Sequence, residues 1–155
     1  MAETPHELIY EEALRAIKQQ QDVLSGLQAR TGTLLAVASL SASFLGGQAL
    51  KDGDLSCWSW AAIVMLGLVV ATTIAILWPR WGWKFTSYID MLKRDFVDAG
   101  YRVPMTRMYL KLAESMDDDR NDNEDKLTLL QRLFQLGCGL LFAEIALWLI
   151  DLGTR

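Results

Sequence analysis

Two carboxylates, Glu144 and Asp151, stand inside the apolar run "RLFQLGCGLLFAEIALWLIDLG" at residues 132 to 153. On a helix their seven-residue interval is two turns, or about 10 Å of rise, so both acids share a face with Gly137, Leu141 and Trp148. Acids at such positions have two uses. Neutral and hydrogen-bonded to a serine or a backbone carbonyl, Glu144 would hold helices together; ionised, facing water and repeated around an assembly of copies, it would line a pore and favour cations. Burying the ionised form at membrane depth costs at least about 2.5 kcal/mol. Counted from the inner ends of the runs, Glu144 falls level with Ser43, and Asp151 lies nearer the outer mouth.

Other reactive side chains do not combine into a site. "DDDRNDNED" places Asp117, Asp119 and Asn121 at the first positions of a calcium loop, but Asp122 stands where the turn needs Gly and Thr128 where a bidentate Glu belongs. A solvated helical face or turn is the expectation there. His6 has no partner at metal-ligand spacing and reads as a surface residue, so no metal is expected. No Ser, His and Asp arrangement supports a nucleophile, Gly46 and Gly47 belong to no phosphate-binding motif, and nothing argues for an enzyme. With a net charge of −4 and no basic stripe, nucleic acid is not an expected partner.

The elements that must position the two acids follow from composition. Hydrophobic residues make up 52% of the chain and charged ones 22%, and the two kinds separate. Apolar runs occupy residues 32–50, 58–78 and 133–152, while charge concentrates in residues 1–30 and 80–132. Runs of roughly 19 to 21 residues reach about 28 to 32 Å as helices, the thickness of a hydrocarbon core. The predicted fold is an all-α membrane protein with three transmembrane helices and cytoplasmic helices at its N-terminus and centre. A soluble bundle is the alternative, because Thr33, Ser39, Ser41, Ser43 and Gln48 dilute the first run.

The predicted organisation is a cytoplasmic N-terminal helix over 1–30, a two-helix transmembrane hairpin over 31–78, a cytoplasmic helical segment over 79–132, and a third span with a short outer tail over 133–155. Thr4 is the expected cap of the first helix, Pro5 suits its first turn, and Leu14, Ile17, Leu24 and Leu27 recur at helical spacing as it runs into the first span. Pro79 is expected to break the chain after the second span, Lys84 to Ala99 to form a helix ending at Gly100, and Pro104 to start another through Leu112. "MAETPHELIYEEALRAIKQQQ" is too polar for a signal peptide. Ten Lys and Arg lie between residues 80 and 132, against one in "KDGDLSC". That asymmetry places the N-terminus and the central segment in the cytoplasm, and residues 51–57 and the C-terminus outside. Cys57 and Cys138 then lie at different depths, and no disulfide between them is expected.

The first span carries a second pattern. Gly32, Ala36, Ser39, Ser43 and Gly46 follow a 4, 3, 4, 3 spacing, a line of small residues on which another helix can approach closely. Packing within one chain and packing between copies both fit it, and the second implies a homo-oligomer in the bilayer.

Three stretches, "LQARTGTLLAVASLSASFLG", "LWPR" closing the second span, and "LAESMDDDRNDNEDKLTLLQRLFQ" entering the third, together resemble the membrane effectors of Pycsar antiphage defence. The wider group of two-span effectors of nucleotide-signalling systems is similar too. The likeness covers most of the chain through short motifs; where the family typically has an acid and a Lys before the first span, this chain has Gln28 and Arg30. The resemblance implies a bacterial inner-membrane protein that assembles or opens when a phage-triggered nucleotide second messenger arrives, with a nucleotide cyclase as functional partner. An anchoring subunit that conducts nothing is the competing expectation.

Overall fold

A computed structural model describes residues 5–49, 51, 55–78, 83 and 104–154. Nearly all of these residues are helical, with no strand among them. Helix α1 spans Pro5–Ser41, a π-helical turn covers Ala42–Gly46, and α2 is the short Gly47–Ala49. Helix α3 spans Cys57–Leu77 and α4 spans Met105–Gly153. The expected cap at Thr4, the break at Pro79 and the helix over 84–99 lie outside the described residues.

Local chemistry explains the element ends. Pro5 opens α1 with its fixed φ, and Glu7 places negative charge beside the free N–H groups of the first turn. Ser56 caps α3, its hydroxyl oxygen accepting the backbone N–H groups of Trp58 and Ser59 at 3.1 Å each. At the other end the Trp78 N–H closes the helix on the Ile74 carbonyl at 2.8 Å. Helix α4 starts after Pro104 as expected but does not stop at Leu112. It runs 49 residues to Gly153, taking the acidic stretch into the same helix, because no Gly or Pro interrupts residues 105–136. The sequence boundary at 132/133 therefore falls inside one helix, as does that at 30/31 inside α1.

The chain forms two compact units, one from Met1–Leu24 and Arg80–Leu127, the other from Ser25–Pro79 and Thr128–Arg155, with α1 and α4 contributing to both. In the first unit α1 and α4 run parallel: Tyr10 packs on Tyr109 with ring centroids 5.4 Å apart, and the Gln20 side-chain amide donates to the Arg120 carbonyl at 2.9 Å. Ile17, Leu112, Ala113 and Met116 are buried there, whereas Leu14 is exposed. The inward line passes through Ile17, Gln20 and Leu24 at 3, 4 spacing, which turns Leu14 outward.

The second unit contains the apolar runs. Leu34 with Gly137, Ser41 with Glu144, and Gly46 with Trp148 pair α1 and its π turn in parallel with α4. Thr72 beside Gly137 and Ser59 beside Asp151 show α3 running antiparallel to both. Inward residues recur at alternating steps of three and four: Thr31, Leu34, Ala38 and Ser41 on α1; Ser59, Ala62, Leu66, Val69, Thr73 and Ile76 on α3. On α4 the same steps run from Leu130 through Phe134, Gly137, Leu141, Glu144 and Trp148 to Asp151. This is the spacing by which nearly aligned helices interdigitate.

The second unit is apolar outside and partly polar inside. Phe44 and Phe142 are 75% and 77% exposed, and Leu40, Val64, Ile74 and Leu149 join them on the outer surface, while Glu144 and Asp151 are 0% exposed. Water would not tolerate that arrangement; hydrocarbon satisfies the outer face and forces polar groups inward. Each of the three long helices has an apolar stretch sufficient to cross a membrane. The chain is an all-α membrane protein, and the soluble-bundle alternative is set aside.

Candidate functional site in the transmembrane bundle

Four layers stack along α4 in the second unit. Leu34, Ala38 and Val69 form an apolar layer with Leu66, Phe134 and Leu141 around it. Glu144 and Ser41 come next. Ala49, Ala62 and Trp148 form a second apolar layer with Leu45, Leu147 and Leu152. Asp151, with Ser56 and Ser59, closes the stack.

The Asp151 layer is fully partnered. Ser59 Oγ donates to Asp151 Oδ2 at 2.9 Å and Ser56 Oγ to Asp151 Oδ1. Since Ser56 is also the cap of α3, the carboxylate sits beside the positive end of that helix, where a negative charge is favoured. A carboxylate accepts only, and both partners donate.

The Glu144 layer is incomplete. Ser41 Oγ lies 3.3 Å from Glu144 Oε1 and 3.0 Å from the Ala38 carbonyl oxygen. Glu144 Oε2 is buried without a hydrogen-bond partner, and so is the Nε1 of Trp148 one turn further on. The indole lies beside the carboxyl, but its N–H does not meet hydrogen-bond geometry. The Trp148 ring is seated by Gly46, where an added Cβ would stand 3.2 Å from the ring carbons. The π turn Ala42–Gly46 follows Ser41 directly, so the irregular stretch of α1 and the incomplete carboxyl are neighbours.

Glu144 and Asp151 thus share the face that the sequence assigns them, and the face turns into the interior of a single chain. Neither acid reaches the surface of the bundle. The serine facing Glu144 is Ser41, two residues before Ser43; the Ser43 hydroxyl donates to the Ser39 carbonyl at 2.7 Å. Of the small residues, Gly46 is buried against Trp148, while Gly32, Ala36, Ser39 and Ser43 are exposed along α1 and make no seam with another helix among the described residues. The inward face of α1 is the neighbouring line through Thr31, Leu34 and Ala38.

Ser41, Ser56 and Ser59 are the partners that sequence reasoning missed. For Ser56 a signal existed, since a Ser immediately before an apolar helical run is a capping pattern. Elsewhere, Asp117, Asp119 and Asn121 lie on α4, where residues two apart point to different sides and close no calcium loop. No metal-ligating cluster occurs among the described residues, His6 is half-buried, and Cys57 and Cys138 are free thiols. No protein family, curated protein or solved structure matches the chain.

Proposed function

We propose that the protein is a membrane effector that oligomerises in the bacterial inner membrane and impairs or permeabilises it in response to a nucleotide signal, as in Pycsar-type antiphage immunity. The observation that supports this reading is the polar interior of the membrane bundle. An inert anchor has no need of two carboxylates in its core, where apolar packing would serve as well or better. A device that rests closed and later exposes a polar path does. In the resting chain both acids are shut inside three helices, which meets the requirement that the host be spared a constant leak. Gly32, Ala36, Ser39 and Ser43 leave a smooth face free for a second copy.

With the N-terminus cytoplasmic, the unit built from Met1–Leu24 and Arg80–Leu127 meets the signal. It belongs to the same helices α1 and α4 whose later turns form spans, so a ligand there acts on the elements that must move. Dye uptake and membrane potential, measured in cells expressing the protein with and without an adjacent nucleotide cyclase, test the reading. Depolarisation that requires the cyclase is the expected result; an intact potential under every condition overturns it. Orientation is checked with a thiol reagent that cannot cross the membrane, which should modify Cys57 from outside and spare a cysteine placed at Lys93.

A second reading is an accessory subunit that anchors a cytoplasmic partner and conducts nothing. One observation favours it: the first unit has a cleft of about 540 Å³ lined by Ala13, Ala16 and Leu110, with Glu12, Arg15, Glu114 and Arg120 at its edge. Loss of a co-purifying protein on Ala16→Glu, with membrane potential unaffected throughout, would select this reading.

A further inference from the structure

We infer that Glu144 is a proton-binding site: the resting bundle holds this side chain as a neutral acid, its proton on Oε1 donated to Ser41, and opening the bundle releases that proton. The Ser41 hydroxyl carries a single hydrogen. Two acceptor positions compete for it, the Ala38 carbonyl at 3.0 Å and Glu144 Oε1 at 3.3 Å. One hydroxyl proton cannot serve both. With the serine donating along its shorter contact, the longer one becomes a hydrogen bond only if Glu144 supplies the hydrogen. The chain then reads Glu144 Oε1–H to Ser41 Oγ, and Ser41 Oγ–H to the Ala38 oxygen, with both hydroxyl hydrogens used.

The surroundings point the same way. No opposite charge stands beside Glu144 on the elements packed around it. On α1, the π turn and α2 there is none after Arg30; on α3 there is none; on α4 there is none between Arg132 and Asp151, itself an acid two turns away. Lys51, just past α2, and Arg30 and Arg132 lie ten to twelve residues from the layer, about 15 to 18 Å of helix, and all three are exposed. An ionised Glu144 would stand between two apolar layers with Oε2 unpartnered and, among the described residues, no cation beside it. A neutral acid leaves only a carbonyl-type oxygen unpaired, a far smaller cost.

The consequence is a linkage between pH and bundle closure. The closed form binds one proton that the open, hydrated form gives to water, so the opening constant rises by up to tenfold per pH unit. The inference needs only the membrane-spanning bundle and does not depend on what the protein does to the membrane.

Infrared spectra of the full chain in phosphatidylethanolamine and phosphatidylglycerol vesicles test it. With glutamate carboxyls carbon-13 labelled, a protonated-carboxyl C=O band that shifts with the label is expected at pH 7.5. Absence of the band overturns the inference, as does its loss on adding sodium chloride, which would assign the site to a cation. The band should vanish in Glu144→Gln and remain in Asp151→Asn; the reverse outcome also overturns it. Labelling reads the unmutated protein, so a variant that fails to fold leaves the test standing. In detergent, unfolding of the wild type should become easier as pH rises from 5 to 8 and that of Glu144→Gln should not, and a flat wild-type profile would break the linkage.

Discussion

Asp151 and Glu144 occupy one face of one helix, two turns apart, and equally hidden from solvent, yet their surroundings are opposite in kind. Asp151 meets two hydroxyl donors and the N-terminal end of α3. Glu144 meets one serine, whose proton has a nearer destination, and two apolar layers. Burial therefore says little about what a membrane acid does; the count of donors aimed at it says more. The first site fastens the start of α3 to the end of α4. The second holds the middle of α4 to α1 with a single proton, and is the weaker of the two.

The largest effect should come from emptying the stronger site. Ser56→Ala together with Ser59→Ala removes both donors and the helix cap while leaving the carboxylate buried. Hydrogen bonds to charged groups contribute about 1.5 to 3 kcal/mol each, so the double variant should lose about 3 kcal/mol or more of bundle stability. Unfolding by denaturing detergent, followed by circular dichroism, measures it. A double variant as stable as the wild type would mean that Asp151 is not fastened by these serines.

A middle-sized effect should come from the layer between the acids. Gly46→Val puts carbon where the Trp148 ring already stands at 3.2 Å from a bare Cβ, and overpacking of this kind costs about 1 to 3 kcal/mol. Displacing the indole also opens the apolar layer next to Glu144 to water, so this variant should lose the pH dependence of unfolding along with stability. Stability lost while the pH dependence stays intact would separate Trp148 from the Glu144 site.

The three spans, the shared face of the two acids and the start of α4 were legible in sequence, because hydrocarbon thickness and helical period fix them. The inward face of α1 was not. Gly32, Ala36, Ser39 and Ser43 form one seam, while Thr31, Leu34, Ala38 and Ser41 form another at the same period; one helix read alone does not say which of two seams its own chain uses. The Ser41 to Glu144 contact was missed for that reason, since counting from run ends cannot resolve half a turn. The continuity of α4 through "DDDRNDNED" was hidden by charge, although the absence of Gly and Pro there favours helix. Asp151 gained its partners from a link that looked like a mere turn, where Ser56 stands at the capping position.

A smaller effect is expected from Ser41→Ala. Hydrogen bonds between membrane helices average about 0.6 kcal/mol, and a neutral acid that loses its acceptor does not become a stranded charge. The variant should unfold within about 1 kcal/mol of the wild type. A loss as large as that of the serine pair at Asp151 would instead mark Glu144 as ionised and dependent on Ser41, erasing the distinction between the two sites.

The smallest effect on the bundle should come from Ser43→Leu, on the seam that the chain leaves open. Ser43 is exposed and bonds only to its own helix, so the larger side chain meets lipid and should change bundle stability by less than about 0.5 kcal/mol. Ser41→Leu, half a turn away, would push a branched side chain against Glu144 and should be far more damaging. If the open seam joins copies of the chain, Ser43→Leu should nonetheless reduce the size of the assembly, because bulk on a line of small residues holds helices apart. Cross-linking in vesicles, read beside the unfolding curve, separates the two quantities. A smaller assembly with an unchanged bundle assigns the inner seam to the fold and the outer one to association, while an unchanged assembly would leave Gly32, Ala36, Ser39 and Ser43 as lipid-facing residues.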